Sequence, residues 1–345
     1  MIRILKNNEL LNNDWQAFVR VHQLGNIFQT LEYYQSQIGN IGVEPFVYAV
    51  IKEQAIVSLV SGVILSNGGK LGRLFTSRAI ITGGPIFTSD NSINENVLEL
   101  ILNSVKDNLQ KKVIYIQIRN LWDCTSVKEV FEKNGFVFQD HLDILIDLTL
   151  TEADLWKKLT KDRRKSIRKG QRELKVEQLN GNIYNIDSIY NLLKVVYDRV
   201  KLPLPGKRYF EKVIKDLSEK GILKIFGAFK DVKLIGVRLV LCYNKLIFDW
   251  YAGADDDYLE YRPNDILIWE VLMWGKSYNY SIFDFGGAGK PNVDYGVRDY
   301  KMKFGGNLVN HGRFEIVNKP FLMFIGKTAV GLIKKYNDLL KKKNN

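Results

Sequence analysis

Cysteine, histidine and proline are scarce: 345 residues hold two, three and seven of them. Cys124 and Cys242 stand far apart in apolar surroundings, which excludes a disulfide framework and a cysteine-based metal cluster and suits a reducing cytoplasm. His22, His141 and His311 lack the spacing of metal ligands, so no metal is expected. With little proline and 46% apolar residues, the chain is neither collagen-like nor disordered. Nothing approaches the roughly 18 to 20 apolar residues of a membrane span. The opening MIRILKNNELLNNDW turns polar too early for a signal peptide. Neither a serine nucleophile elbow nor a Cys-His pair is present, which leaves direct group transfer within a ternary complex as the simplest chemistry.

What the chain does have is positive charge: 50 Lys and Arg against 38 Asp and Glu give +12. Such a balance favours an anionic partner: nucleic acid, nucleotide phosphate or an acidic membrane face. The length suggests two domains, and the text supports a duplication. Glu44–Leu65 and Leu223–Tyr243 each read as two β-rich runs about a polar turn, an antiparallel hairpin. Each half then closes with a strand, a short helix, a glycine turn and a last strand, with His141 and His311 at matching places. Ile93–Leu109 and Ile186–Val200 carry apolar residues at helical spacing, and Arg262-Pro263-Asn264-Asp265 opens a Trp-rich helix. The expected fold class is α/β (α+β): two tandem domains, 1–150 and 151–318, each a mainly antiparallel sheet flanked by helices, followed by a basic C-terminal helix, 319–345.

Much of the charge lies in DLWKKLTKDRRKSIRKGQRELKV, a helix-like stretch with Leu155, Leu159 and Ile167 as a thin apolar stripe. Arg163, Arg164, Lys165 and Arg168 are its candidate phosphate contacts, and a solvated helix face is the alternative. The tail FLMFIGKTAVGLI with its following lysines reads as a docking helix or as an interfacial helix on anionic lipid.

The most distinctive text runs from Tyr261 to Glu315. Its Arg-Pro-Asn-Asp helix start, Phe283-Asp284-Phe285-Gly286-Gly287 strand end, Gly296-Val297 turn and Tyr300-Lys301 before Phe304-Gly305-Gly306 resemble the C-terminal domain of the Fem family of peptidoglycan aminoacyltransferases. The duplication and the basic opening of the second half fit that family's paired GNAT-like domains. The resemblance implies transfer of an aminoacyl group from charged tRNA to an amino group of a cell-envelope precursor, which in the family can be lipid-linked. It further implies a cytoplasmic enzyme, peripheral to the membrane where the tail binds it, with neither metal nor bound cofactor. The family's aromatic-lysine pair falls on Tyr300 and Lys301, its strand tyrosine on Tyr251, and a phosphate-contacting arginine near Lys207-Arg208. The first half departs from the pattern: Tyr33, Tyr34 and Gln37 stand where a Trp-Gly…Lys segment is usual, and Phe87 and Thr88 where an aspartate is usual.

Amide formation from an ester needs a neutral amine, a stabilised tetrahedral oxyanion and a proton for the leaving oxygen. Lys301, at the start of a short helix, is the candidate cation for the oxyanion. Asp284 either accepts a proton, orients Lys301 or only bonds the glycine turn. Gly286 and Gly287 would let a substrate approach the backbone. Arg262 and Asn264 sit at a helix start that attracts anions, and Tyr251 either bonds substrate or packs in the core. The acidic DDDYLEYRPND, almost without glycine, disfavours acetyl-CoA, so an acyl-CoA-dependent N-acyltransferase acting on an amino sugar or polysaccharide precursor is the second reading. A non-catalytic binding module is the third.

Overall fold

A computed structural model describes residues 2–88, 94–179, 186–326 and 328. The chain forms two compact units, Met1–Gln139 with the segment from Gly312, and Asp140–His311. In chain order the first holds β1 (Ile2–Lys6), α1 (Asn12–Val21), α2 (Leu31–Gln37), β2 (Val43–Lys52), β3 (Ala55–Leu65), α3 (Lys70–Thr76), β4 (Arg78–Thr82), β5 (Ile86–Phe87), α4 (Asn94–Leu109), β6 (Tyr115–Arg119), α5 (Lys128–Lys133) and β7 (Val137–Gln139). The second holds β8 (Asp143–Asp147), α6 (Glu152–Lys158), α7 (Lys161–Glu173), β9 (Lys175–Leu179), α8 (Ile186–Val200), α9 (Lys207–Glu219), β10 (Leu223–Lys230), β11 (Lys233–Tyr243), β12 (Leu246–Ala254), α10 (Pro263–Ser277), β13 (Ile282–Asp284), α11 (Gly296–Met302) and β14 (Asn307–Val309). A last strand, β15 (Arg313–Val317), returns to the first unit.

Both expected hairpins form, as β2–β3 and β10–β11. The first sheet runs β1-β2-β3-β4-β6-β15-β7 with β5 beside β3, and the second β9-β10-β11-β12-β13-β8-β14. Position by position these orders are the same. Each sheet has one parallel pair, β4–β6 and β12–β13, and antiparallel pairs elsewhere. The parallel pairs need long crossovers, supplied by α4 and α10. The architecture is therefore the duplicated, mainly antiparallel sheet-and-helix layering read from the sequence. The unit limits fall at 139/140 and 311/312 rather than near Leu150 and at 318. The reason is that β8 follows β7 in the chain but pairs with β13 and β14, while β15 follows β14 but pairs with β6 and β7.

Each unit has its own core. In the first, Val97, Leu98, Ile101, Leu102 and Val105 of α4 pack on the sheet, and Phe314 of β15 stacks on Phe131 at 4.0 Å between ring centroids. In the second, α10 is buried nearly all round through Ile266, Leu267, Ile268, Trp269, Val271 and Leu272. Arg262 caps it with a left-handed backbone (φ 66°) and Pro263 takes its first position.

The basic stretch is two helices, since Thr151 and Thr160 each cap one with a side-chain oxygen. Leu155, Leu159 and Ile167 are buried as the stripe required. At Gly170 a Cβ would lie 2.7 Å from Ile266, so α7 and α10 touch where glycine permits it. Residues 329–345 of the expected C-terminal helix lie outside the described residues.

Candidate active site

Strand β12 shares only Leu246–Phe248 with β13, then continues to Ala254 against β11 alone. Beyond Phe248 and Asp284 the parallel pair therefore parts, at the carboxyl ends of both strands, where open sheets commonly bind ligands. A bulge makes Trp250 the extra residue there, as Leu239 faces Tyr251 and Val240 faces Asp249.

Lys301 reaches this opening from α11. It is the penultimate residue of that helix rather than at its start, because the helix begins at Gly296. Its Nζ donates to the carbonyl oxygens of Phe285 and Gly287, both at 2.7 Å. An ammonium has three donors, so one remains for a ligand. Burial lowers the proton affinity of Lys301, against the pull of Asp249, Asp143 and Asp284 and with the push of Arg238.

The turn that presents those carbonyls is held by two carboxyls. Asp284 is buried and accepts from Gly286 N–H at 2.7 Å. Asp143, on β8, accepts from Gly287 N–H at 2.8 Å. Burial first, and the neighbouring Asp143 second, hold the Asp284 carboxyl well above the usual carboxylate range, so it keeps its proton. Gly287 has φ 101°, and a Cβ there would lie 3.3 Å from His141 Nε2.

Tyr300 points the other way. Its hydroxyl donates to Asp265 Oδ1 at 2.7 Å, and Arg163 of α7 pairs with the same oxygen. The Arg163 guanidinium lies 4.4 Å from the Tyr300 ring centroid and 4.7 Å from that of Phe304. Burial and the Asp265 carboxylate push the Tyr300 phenol well up, so it keeps its proton. Arg163 is thus withdrawn from any phosphate-binding surface, being 7% exposed and committed to Asp265. Arg164 is half-buried and donates to the carbonyls of Lys157 and Leu159, closing the end of α6. Lys165 and Arg168 are exposed.

The remaining sequence candidates lie on neighbouring elements. Tyr251 is half-buried in an aromatic group with Trp250, Phe210 and Tyr197, at centroid distances of 4.7, 5.0 and 5.7 Å. Lys207 opens α9, ion-paired to Asp187 and Glu211, with Arg208 exposed beside it. Arg262 is exposed and Asn264 half-buried at the start of α10. Two of the acidic residues before α10 are neutralised, Asp255 by Lys233 and Asp256 by Arg199.

Sequence reasoning missed Asp143, Asp249 and Arg238. Asp249 pairs with Arg238, both nearly buried, and its Oδ1 has no partner among the described residues. Among those residues no three His, Cys, Asp or Glu side chains converge as metal ligands. None of their helices is long and apolar enough to cross a membrane.

The family described as "Acetyltransferase (GNAT) domain" matches residues 158–302. The chain is 25% identical over 173 residues to UDP-N-acetylmuramoylpentapeptide-lysine N(6)-alanyltransferase of Weissella viridescens, 48% of this chain and 49% of that protein. It thus spans about half the length of the curated relative it matches. Among solved structures, FemX superposes with a TM-score of 0.73 at 15% identity, over 93% of this chain and all of that one. A tandem GNAT protein from the clavulanic acid biosynthesis pathway gives 0.58 at 8% identity, over 92% and 99%. The Fem resemblance and the paired GNAT-like fold expected from the sequence both stand.

Proposed function

We propose that this Fem-like chain of paired GNAT-fold domains is an acyltransferase that moves an aminoacyl group from aminoacyl-tRNA to an amino group of a cell-envelope precursor. The observation that carries the reading is Lys301, half-buried at the parting of β12 and β13 with two donors fixed on backbone carbonyls and one spare. A cation so placed answers the charge that develops on an ester carbonyl oxygen under attack, and removing such a donor costs about 2.7 to 4 kcal/mol.

In the reaction the acceptor nitrogen forms a bond to the ester carbonyl carbon, the bond from that carbon to the ribose oxygen breaks, and a proton leaves the nitrogen for the departing oxygen. Direct transfer needs no covalent enzyme intermediate. The Oδ1 of Asp249, without a partner among the described residues, is an acceptor suited to hold the incoming amine. The acceptor's anionic parts and the inner membrane face account for the basic character of the chain. In the first unit, Gln37 is buried while Tyr33 and Tyr34 pack on Phe28 and Trp15. The acceptor is accordingly held differently from the family's usual nucleotide-linked pentapeptide.

The match to an acetyltransferase domain favours a second reading, transfer from acyl-CoA. Purified protein given labelled aminoacyl-tRNAs or labelled acetyl-CoA, with cell-wall precursors as acceptors, separates the two. Product from aminoacyl-tRNA supports the proposal, and product from acetyl-CoA alone overturns it.

A further inference from the structure

The start of β8 runs beside the turn that carries the Lys301 carbonyls and bonds it on both sides of its bend. Phe285 N–H donates to the carbonyl oxygen of Ile144 at 3.1 Å, Ala288 N–H to that of Leu142 at 2.6 Å, and Leu142 N–H to that of Gly289 at 2.7 Å. Between these bonds the chain leaves the ladder at Gly286 and Gly287, both in the left-handed region at φ 70° and 101°. Their N–H groups go to side chains instead, that of Gly286 to Asp284 and that of Gly287 to Asp143.

Three successive peptide groups make up the turn, and in a trans peptide the N–H and the C=O point opposite ways. The first joins Phe285 to Gly286, with Asp284 on its N–H and Lys301 on its oxygen. The third joins Gly287 to Ala288, with Leu142 on its N–H and Lys301 on its oxygen. The middle one joins Gly286 to Gly287, and its N–H goes to Asp143. Its orientation sets the angle between the two carbonyls that Lys301 bridges. Glycine on either side opposes its rotation least, so the restraint falls to Asp143. That carboxyl is itself fixed. It is buried, its Oδ1 also accepts from Ile144 N–H at 2.7 Å, and it is hydrogen-bonded to the Asp284 side chain.

We infer that Asp143 is a positioning residue for Lys301. By fixing the middle peptide it keeps both carbonyls turned toward one ammonium, and so fixes the direction of the third donor. The inference rests on the proposed role of Lys301 at the oxyanion. Asp143 acts through Lys301 alone, so its effect on turnover should vanish when that lysine is absent.

Two measurements test this on Asp143→Ala, which removes the acceptor, and Asp143→Asn, which removes the charge but keeps an acceptor oxygen. Asp143→Ala should lower kcat by about 10- to 100-fold with KM for both substrates little changed, and Asp143→Asn should restore most of it. In a Lys301→Met background Asp143→Ala should lower kcat by no more than about 2-fold. The second measurement needs no turnover: brief treatment with acetic anhydride, with acetylation of each lysine read by mass spectrometry. Lys301 should react faster in Asp143→Ala than in Asp143→Asn, and the other lysines equally in both. If circular dichroism shows that the alanine variant does not fold, Asp143→Val takes its place. Equal reaction of Lys301 in the two variants, failure of Asp143→Asn to restore kcat, or losses that multiply in the double variant overturns the inference. Multiplied losses are what a merely structural residue would give. If Lys301→Met keeps full kcat, the oxyanion reading fails, and acetylation alone decides whether Asp143 holds Lys301. Turnover is read with whichever donor gives product, so product from acetyl-CoA alone would remove the donor reading and leave this test in force.

Discussion

A lysine that donates to two backbone carbonyls is fixed in place only as well as its turn is fixed. Lys301→Met deletes the spare donor and should lower kcat by about 10²- to 10³-fold, with KM for the acceptor little changed. Steady-state kinetics decides, and unchanged kcat would remove Lys301 from the chemistry. Because burial lowers its proton affinity, the alkaline fall in activity should begin below the ordinary lysine value of about 10.4. Asp284 gives a separate signature. The folded chain holds its proton well above the range near 4 where an unfolded aspartate releases it. The resulting stability is complete below that range and lost as pH rises through the raised folded value. Asp284→Asn, neutral throughout, should abolish this decline in urea midpoints taken from pH 4 upward; the same decline in the variant would assign it to another group. Lys301 and Asp284 meet at one turn, as their shared motif suggested, whereas Tyr300 of the same motif turns to Asp265 and not into the opening. Asp143 was not legible, since strand pairing brings it to Gly287 from 144 positions away.

At the scale of elements, the ion pair of Arg163 with Asp265 joins α7 to α10, and the Tyr300 hydroxyl brings α11 to the same oxygen. Removing one partner strands a buried charge. Arg163→Ala should therefore cost about 3 to 5 kcal/mol, and the double variant with Asp265→Ala should be more stable than the sum of the single losses. Chemical denaturation in a double-mutant cycle measures this, and strictly additive losses would show that the two side chains do not interact. The helices and hairpins were readable from the periods of their apolar residues. The orientation of α7 was half readable. Its charge suggested an exposed Arg163, yet that arginine lies in register with Ile167 and Gly170, and the register prevails because α10 covers that side. The aromatic setting of Tyr251 comes from α8 and α9 folding over β12, which no local pattern announces.

At the scale of the molecule, repeated order made the duplication legible, and the matching strand orders of the two sheets bear it out. Which sheet takes which closing strand was illegible, because β8 and β15 are both short apolar strands after a glycine turn and a histidine. β15 supplies Phe314, fully buried between Phe131 and Phe138, and occupies the place between β6 and β7. A chain ended at His311 keeps all of Asp140–His311 but lacks that strand. Hydrogen exchange read by peptide should show protection kept in β10–β13 and lost in β6 and β7. Equal protection in both would make β15 dispensable.

The strand order also sets a timetable for synthesis. An emerging chain cannot finish its first sheet when Gln139 leaves the ribosome, because the strand that fits between β6 and β7 has not been made. All of Asp140–His311 must be translated first, roughly 10 to 30 s at ordinary elongation rates. For that interval the amino-terminal half waits with a gap in its sheet, and a strand translated after His311 completes the first unit begun.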